Sequence, residues 1–302
     1  MLFSNSKIKY LITVISLIFI NMSFLLAGNR RQSILEYGPS VRALALGEAV
    51  AGFPIDDPGI SFFNPALIQN VESMNLGGSY WSLYDGAMYN HLGVNMKSFG
   101  FNVMQFSRTN IKKYTSIADP GTDISNRQTI IYGSYGKSYW GYNFGLGLKY
   151  LSYDIDTYND WGLSFDLGAQ KEIGSIIDRF DNNLSVGAVC KNILQKAIKL
   201  DQEKERQPIS LEAGASMKVN LREEDVLNIL LDFEAKDSHF LAKLGAEYIY
   251  RNMFALRTGY KDGFNLGLGF IRGKVSLDYS YVIKDLDGFH RIGIVYRFKD
   301  TE

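Results

Sequence analysis

Three histidines and one cysteine leave this chain little with which to make or break bonds. His91, His239 and His290 stand far apart, at no spacing suited to a metal ion. No Gly-x-Ser-x-Gly elbow occurs, and the frequent Gly-x-Gly pairs lie inside alternating runs instead of forming a phosphate loop. Cys190, alone, excludes a disulfide framework and any multi-cysteine site. No metal, cofactor or catalytic residue is expected, and the chain is not expected to be an enzyme. What it does carry is a set of charges at alternate positions of apolar runs: Asp166, Glu212, Asp232, Glu234, Arg257, Asp278 and Arg291. A second set, Arg42, Asp56, Asp57, Asn64 and Pro65, falls within one Gly- and Pro-containing stretch from Ser40 to Leu67. Charges withdrawn from water have to pair or satisfy backbone groups. The chemistry on offer is therefore holding and gating.

The elements that carry the first set are strands. Tyr142, Phe144, Leu146, Leu148 and Tyr150 fall on one face of a period-two run, with Asn143, Gly145, Gly147 and Lys149 on the other. Phe264–Phe270, Val275–Tyr281 and Leu163–Gly168 repeat the arrangement. About fourteen such segments follow Met74, most near the roughly ten residues that cross a bilayer when tilted. Asp85-Gly86, Arg251-Asn252, Asp262-Gly263, Arg272-Gly273 and Asp287-Gly288 separate several of them as hairpin turns. Short connections make a meander. An even count closes it with both ends on one side and leaves no edge unpaired in lipid.

The expected fold is therefore all-β: a single transmembrane antiparallel β-barrel of about 14 strands spanning 73–302. Its apolar set faces outer-membrane lipid and its polar set, the charges above included, lines the lumen. Trp81, Tyr84, Tyr89, Tyr153 and Trp161 are among the aromatics that fit girdles at the two interfaces. A barrel this wide is not filled by its own side chains. Inward glycines leave room for backbone, so the segment 28–72 is expected inside as a hatch. Within it, Asp56-Asp57-Pro58-Gly59 and Asn64-Pro65 read as turns, Arg42–Ala51 as a short helix or compact coil, and Ser61–Phe63 as extended. The hatch polar residues either gate a path or simply fix the plug. The longest connections, Ser107–Arg127 and Asn192–Gln207, fall at the end opposite the termini, which places that end outside and the termini in the periplasm.

Both chain ends fit export. Lys7 and Lys9 precede an apolar run from Tyr10 to Leu26, followed by Ala27-Gly28, so 1–27 reads as a secretory signal peptide, with an uncleaved membrane helix as the alternative. Lys plus Arg and Asp plus Glu both number 32 in 302 residues, and this balance gives no field for nucleic acid as partner. Near the other end, Gly293, Tyr296 and Phe298 sit in a strand that resembles the C-terminal signal read by the barrel assembly machinery.

The stretch Arg42-Ala43-Leu44-Ala45-Leu46-Gly47-Glu48-Ala49, then Asp56-Asp57, then Asn64-Pro65-Ala66, resembles the N-terminal signature of the PorV/PorQ family. These outer-membrane proteins are related to the FadL-type long-chain fatty-acid channels. The family usually has a second Gly where Glu48 stands here. The resemblance implies a fourteen-stranded barrel with an internal hatch and leaves two functions open. One is a channel for hydrophobic small molecules. The other is a non-transporting component of type IX-like secretion, binding exported proteins or partner subunits through its outer loops.

Overall fold

The computed structural model describes residues 37–82, 86–114, 119–177, 181–200, 203–237, 239–283 and 288–298. The expected signal peptide, the hatch before Tyr37, and Tyr84 lie outside the described residues. Fourteen antiparallel strands close into one barrel, each pairing with its neighbour in the chain and the last with the first. They are β1 (Asn75–Ser82), β2 (Ala87–Met96), β3 (Phe99–Lys113), β4 (Thr122–Tyr139), β5 (Tyr142–Ile155), β6 (Tyr158–Gly174) and β7 (Asp181–Lys196). After a small hairpin, β8 (Ile198–Leu200) and β9 (Glu203–Glu205), come β10 (Ser210–Asn220), β11 (Val226–Lys236), β12 (His239–Tyr250), β13 (Phe254–Tyr260), β14 (Phe264–Arg272), β15 (Val275–Val282) and β16 (Phe289–Arg297). The hairpin makes a separate two-stranded sheet.

Alternation decides which side chains face out. Leu146, Leu268 and Leu277 are 44%, 57% and 48% exposed, while Asp166, Glu247 and Arg291 on the opposite parity are fully buried. The oily face therefore points outward. Two turns at the end of the barrel that holds the start of β1, here the near end, are tight. Trp140-Gly141 and Arg251-Asn252 take positive φ at both central residues, the geometry that matches strand twist in a two-residue hairpin.

The wall is uneven in height. β13 to β16 and β1 have 7 to 9 residues, whereas β3 to β7 have 14 to 18. Much of the extra length rises at the far end, where β3 and β4 stay paired out to Lys113 and Thr122. The connection expected over Ser107–Arg127 is thus largely strand. Its residues continue the ladder past the end of β2 as far as Lys113 and Thr122.

Ahead of β1 the chain folds within this wall. Helix α1 (Val41–Ala45) is capped by the Ser40 hydroxyl, which accepts from the Ala43 amide at 3.1 Å. It ends where Gly47 and Glu48 both turn left-handed, at φ 66° and 56°. Ser61–Phe63, expected to be extended, is instead part of a one-turn helix, α2 (Ile60–Phe63). The proline constraint acts only on Asn64, which is extended at φ −148°, ψ 112°, and caps a 3-10 helix, Pro65–Asn70.

Candidate functional site

At several wall glycines the hatch touches the wall backbone to backbone. A Cβ at Gly187 would lie 2.1 Å from the Ala51 carbonyl oxygen, and one at Gly145 would lie 2.2 Å from the Ala66 nitrogen. At Gly259 the clash would be with the Gly47 nitrogen at 2.1 Å. These positions admit only glycine because another chain segment occupies the place of their side chains.

Asn64 ties this contact together. Its amide donates to the carbonyls of Ala51 in the hatch at 2.7 Å and Ala169 on β6 at 3.2 Å, while its side-chain oxygen accepts from the Ala66 amide. Pro65 lies against Gly145 and Gly168. Asp57 accepts from the Ser40 hydroxyl at 2.8 Å and the Gly59 amide at 2.7 Å. Burial pushes its carboxyl above the ordinary range in spite of those donors. Burial acts the same way on Glu48, but Lys261 and Lys243 outweigh it and hold that carboxyl low. Glu48 pairs with Lys261 and accepts from the Gly38 amide at 3.0 Å. Glu48 thus combines a left-handed backbone with a buried ion pair.

Most of the expected lumen charges are gathered on one side, from β10 to β16. Arg42 reaches from α1 to Glu247 at 2.5 Å, Arg257 bonds the same carboxylate at 2.6 Å, and Arg257 continues to Asp278 at 2.6 Å. Lys243 joins Glu212 at 2.7 Å and Glu234 at 3.1 Å. Asp232 accepts from the hatch amide of Ala51 at 2.7 Å, and Arg291 donates to the Gly38 carbonyl at 2.6 Å. Asp56 pairs with Arg297 at 2.6 Å. Asp166 stands apart on β6, accepting from the Asn192 amide at 2.8 Å with Lys149 at 3.3 Å. This side grips the hatch.

The other side is different in kind. In the far half of the barrel, from β15 through β16 and β1 to β5, the inward positions are apolar. Trp81, Tyr89, Met104, Phe106, Ile130, Tyr132, Leu151, Tyr153, Val282 and Phe289 form one buried cluster with hatch residues Leu44 and Phe62. Trp81 stacks on Phe289 at 4.2 Å between ring centres, and Tyr37 meets both rings edge-on. Ile198 of the β8–β9 hairpin joins the same cluster.

The expectation that the inward set is polar fails here. Trp81, Tyr89 and Tyr153, read as girdle aromatics, are 1%, 1% and 5% exposed and belong to the interior. Parity holds the missed signal. Tyr89 shares its register with His91 and Asn95, and Leu151 and Tyr153 share theirs with Lys149. An inward-parity position that turns apolar makes a doubled run, as in Val103-Met104 and Ile130-Ile131-Tyr132, and these runs fall mid-strand in β3 and β4.

Of the residues read as an assembly signal, Gly293 faces inward, where a Cβ would meet Val41 at 2.8 Å. Tyr296 and Phe298 lie on the outer face, edge to face at 5.1 Å. Among the described residues no group of His, Cys, Asp and Glu could hold a metal ion.

No protein-family model matches the chain, and no curated protein matches its sequence. Among solved structures it is similar to the P. putida toluene transporter TodX, with TM-score 0.53 and 10% identity over 86% of this chain and 99% of that one. It is likewise similar to the Ralstonia pickettii toluene transporter TbuX, with TM-score 0.50 and 13% identity over 91% of this chain and 100% of that one. A Pseudomonas aeruginosa FadL homologue aligns at TM-score 0.45 and 10% identity, covering 87% and 99%. The fold is TodX-like. At these identities the likeness concerns the barrel and its fourteen strands, while the lining residues are this chain's own.

Proposed function

We propose that the chain is an outer-membrane channel for small hydrophobic molecules, admitted at the far end between the hatch and the apolar wall of β1 to β5. One observation carries this reading: the apolar cluster of Trp81, Tyr89, Met104, Phe106, Ile130 and Leu151 lines the inside of a barrel whose opposite wall is charged. An aqueous pore is lined by polar groups, whereas a wall of this kind offers an apolar molecule a surface like its own once the hatch residues Leu44 and Phe62 move off it. The TodX and TbuX structures, both of toluene transporters, support the same class of cargo. In this reading 1–27 is an export signal, 28–72 the hatch and 73–302 the barrel. The barrel is inserted by the assembly machinery of a diderm outer membrane through Gly293, Tyr296 and Phe298, with the near end in the periplasm. Arg42, Asp56, Asp57, Asn64 and Pro65 fix the hatch and set how readily it yields.

Uptake of radiolabelled toluene and of a labelled long-chain fatty acid, by cells carrying the chain or Met104→Asp at equal outer-membrane abundance, tests the reading. A charge on the oily wall is expected to lower uptake of the transported class at least several-fold. Equal uptake of both compounds by the two chains rejects the proposal. A second reading follows from the motif at 42–66 that resembles PorV/PorQ proteins and from the tall wall of β3 to β7. There the chain is a component of type IX-like secretion, and the raised wall is its docking face. Co-purification of a secretion subunit, lost when the β3–β4 tip is trimmed back to Arg108 and Asn126, favours it over transport.

A further inference from the structure

The strands that close the barrel, β1 and β16, come from opposite ends of the barrel sequence, and one continuous piece of hatch spans their seam from inside. At the far end Tyr37 packs edge-on against Trp81 of β1 and Phe289 of β16, 5.2 and 5.5 Å away. One step down, the Arg291 guanidinium on β16 donates to the Gly38 carbonyl at 2.6 Å, and the Ser79 hydroxyl on β1 donates to the Pro39 carbonyl at 3.0 Å. Below that, Val41 sits where a Gly293 side chain would be, and Pro58 sits 3.1 Å from a Cβ placed at Gly77. At the near end Asp56 joins the two strands with one carboxylate. Its Oδ1 accepts from Asn75 of β1 at 2.5 Å and its Oδ2 from Arg297 of β16 at 2.6 Å, while Arg297 also donates to the Asp56 carbonyl at 3.0 Å.

We infer that residues 37–58 are a seam staple: the hatch closes the barrel, and Asp56 is the residue that holds the first and last strands in register. The β1–β16 ladder has eight register pairs, Asn75–Ser82 with His290–Arg297, against fourteen between β4 and β5. Those few bonds join strands some two hundred residues apart, so their closure carries the largest chain-entropy cost of any seam. A segment that precedes β1 directly and already touches both strands lowers that cost. It presents paired donors and acceptors to β16 as the strand arrives. Charge-assisted bonds of the Arg297–Asp56 type are the stronger sort for this purpose. The role is separate from transport, because it concerns the wall and not the path.

The test uses the full chain in a Cys190→Ser background, folded into outer membranes, with the midpoint temperature of unfolding read from the mobility shift of unboiled samples on electrophoresis. Asp56→Asn is expected to lower that midpoint. A disulfide across the seam between register partners on the outer face, Tyr80→Cys with Ile292→Cys, is expected to abolish the difference between the Asp56→Asn chain and its parent when oxidised and to restore it when reduced. A disulfide between β10 and β11, Ala213→Cys with Phe233→Cys, is expected to leave the difference intact. If Asp56→Asn does not assemble, Ser79→Ala takes its place in the same comparison. The inference is overturned if the substitution leaves the midpoint unchanged, if the deficit persists in the seam-bonded chain, or if both disulfides remove it equally.

Discussion

Asp57 and Asn64 do different work although both are buried polar residues of the hatch. Asn64 spends its amide on two backbone carbonyls and its oxygen on the Ala66 amide, so Asn64→Ala removes the bonds that tie hatch to wall here and is expected to lower the unfolding midpoint. Asp57 accepts two hydrogen bonds but has no cation in contact among the described residues, and burial raises its pKa. A raised carboxyl binds its proton more tightly in the folded chain than in the unfolded one. Its contribution to stability is therefore full below the ordinary value of 3.8 and is lost as pH rises through the raised value. Asp57→Asn keeps the acceptor for the Gly59 amide and removes the charge. The substituted chain is expected to match the parent at pH 3 and to exceed it in unfolding midpoint at pH 8. A lower midpoint at pH 8 would show that the carboxylate charge is needed. Among the expected site residues, pairings that cross the hatch–wall boundary, such as Asp56 with Arg297, could not be read from sequence. Parity gives the face of a strand but not which hatch residue lies opposite it.

At the scale of elements, the strands were legible and the hatch was half so. Two-residue alternation located fourteen strands because an oily outer face leaves its mark on every one of them. The short helix at Ile60–Phe63 left no such mark, since four residues fill barely one turn and pre-proline sterics bear only on Asn64. The far halves of β2 to β5 misled for a physical reason. Rules for a water-filled lumen assign apolar residues to lipid, and here both faces are apolar. Hatch and wall also meet through β5, β6 and β7, and Gly145 is one of the tight points of that meeting, against the Pro65–Ala66 peptide. Gly145→Val places a branched side chain where the Pro65–Ala66 peptide lies, an overpacking that costs roughly 1–3 kcal/mol. The hatch is expected to shift instead of the wall. Planar-bilayer recordings should then show a larger and noisier conductance than the parent chain, and an unaltered trace would mean that the wall gives way.

For the whole molecule, a closed barrel with an oily outside predicts how the protein leaves a membrane. Alkaline carbonate, which releases proteins held by charge, is expected to leave it in the pellet, and detergent is expected to be needed for extraction. Release by carbonate alone would fit a soluble propeller or sandwich and contradict the outward-facing Leu146, Leu268 and Leu277. The unequal strands have a further consequence for the surrounding bilayer. Seven residues of β13 at the usual tilt rise only about 18 Å along the membrane normal, less than the roughly 25 Å apolar band of such barrels. Acyl chains beside β13 to β1 must shorten or splay to meet that stretch, while those beside β3 to β7 need not. The protein therefore sits in a lopsided collar of lipid, thinned along one flank, and that thinning sets a preferred lean and a preferred side on which a second such protein would settle to share it.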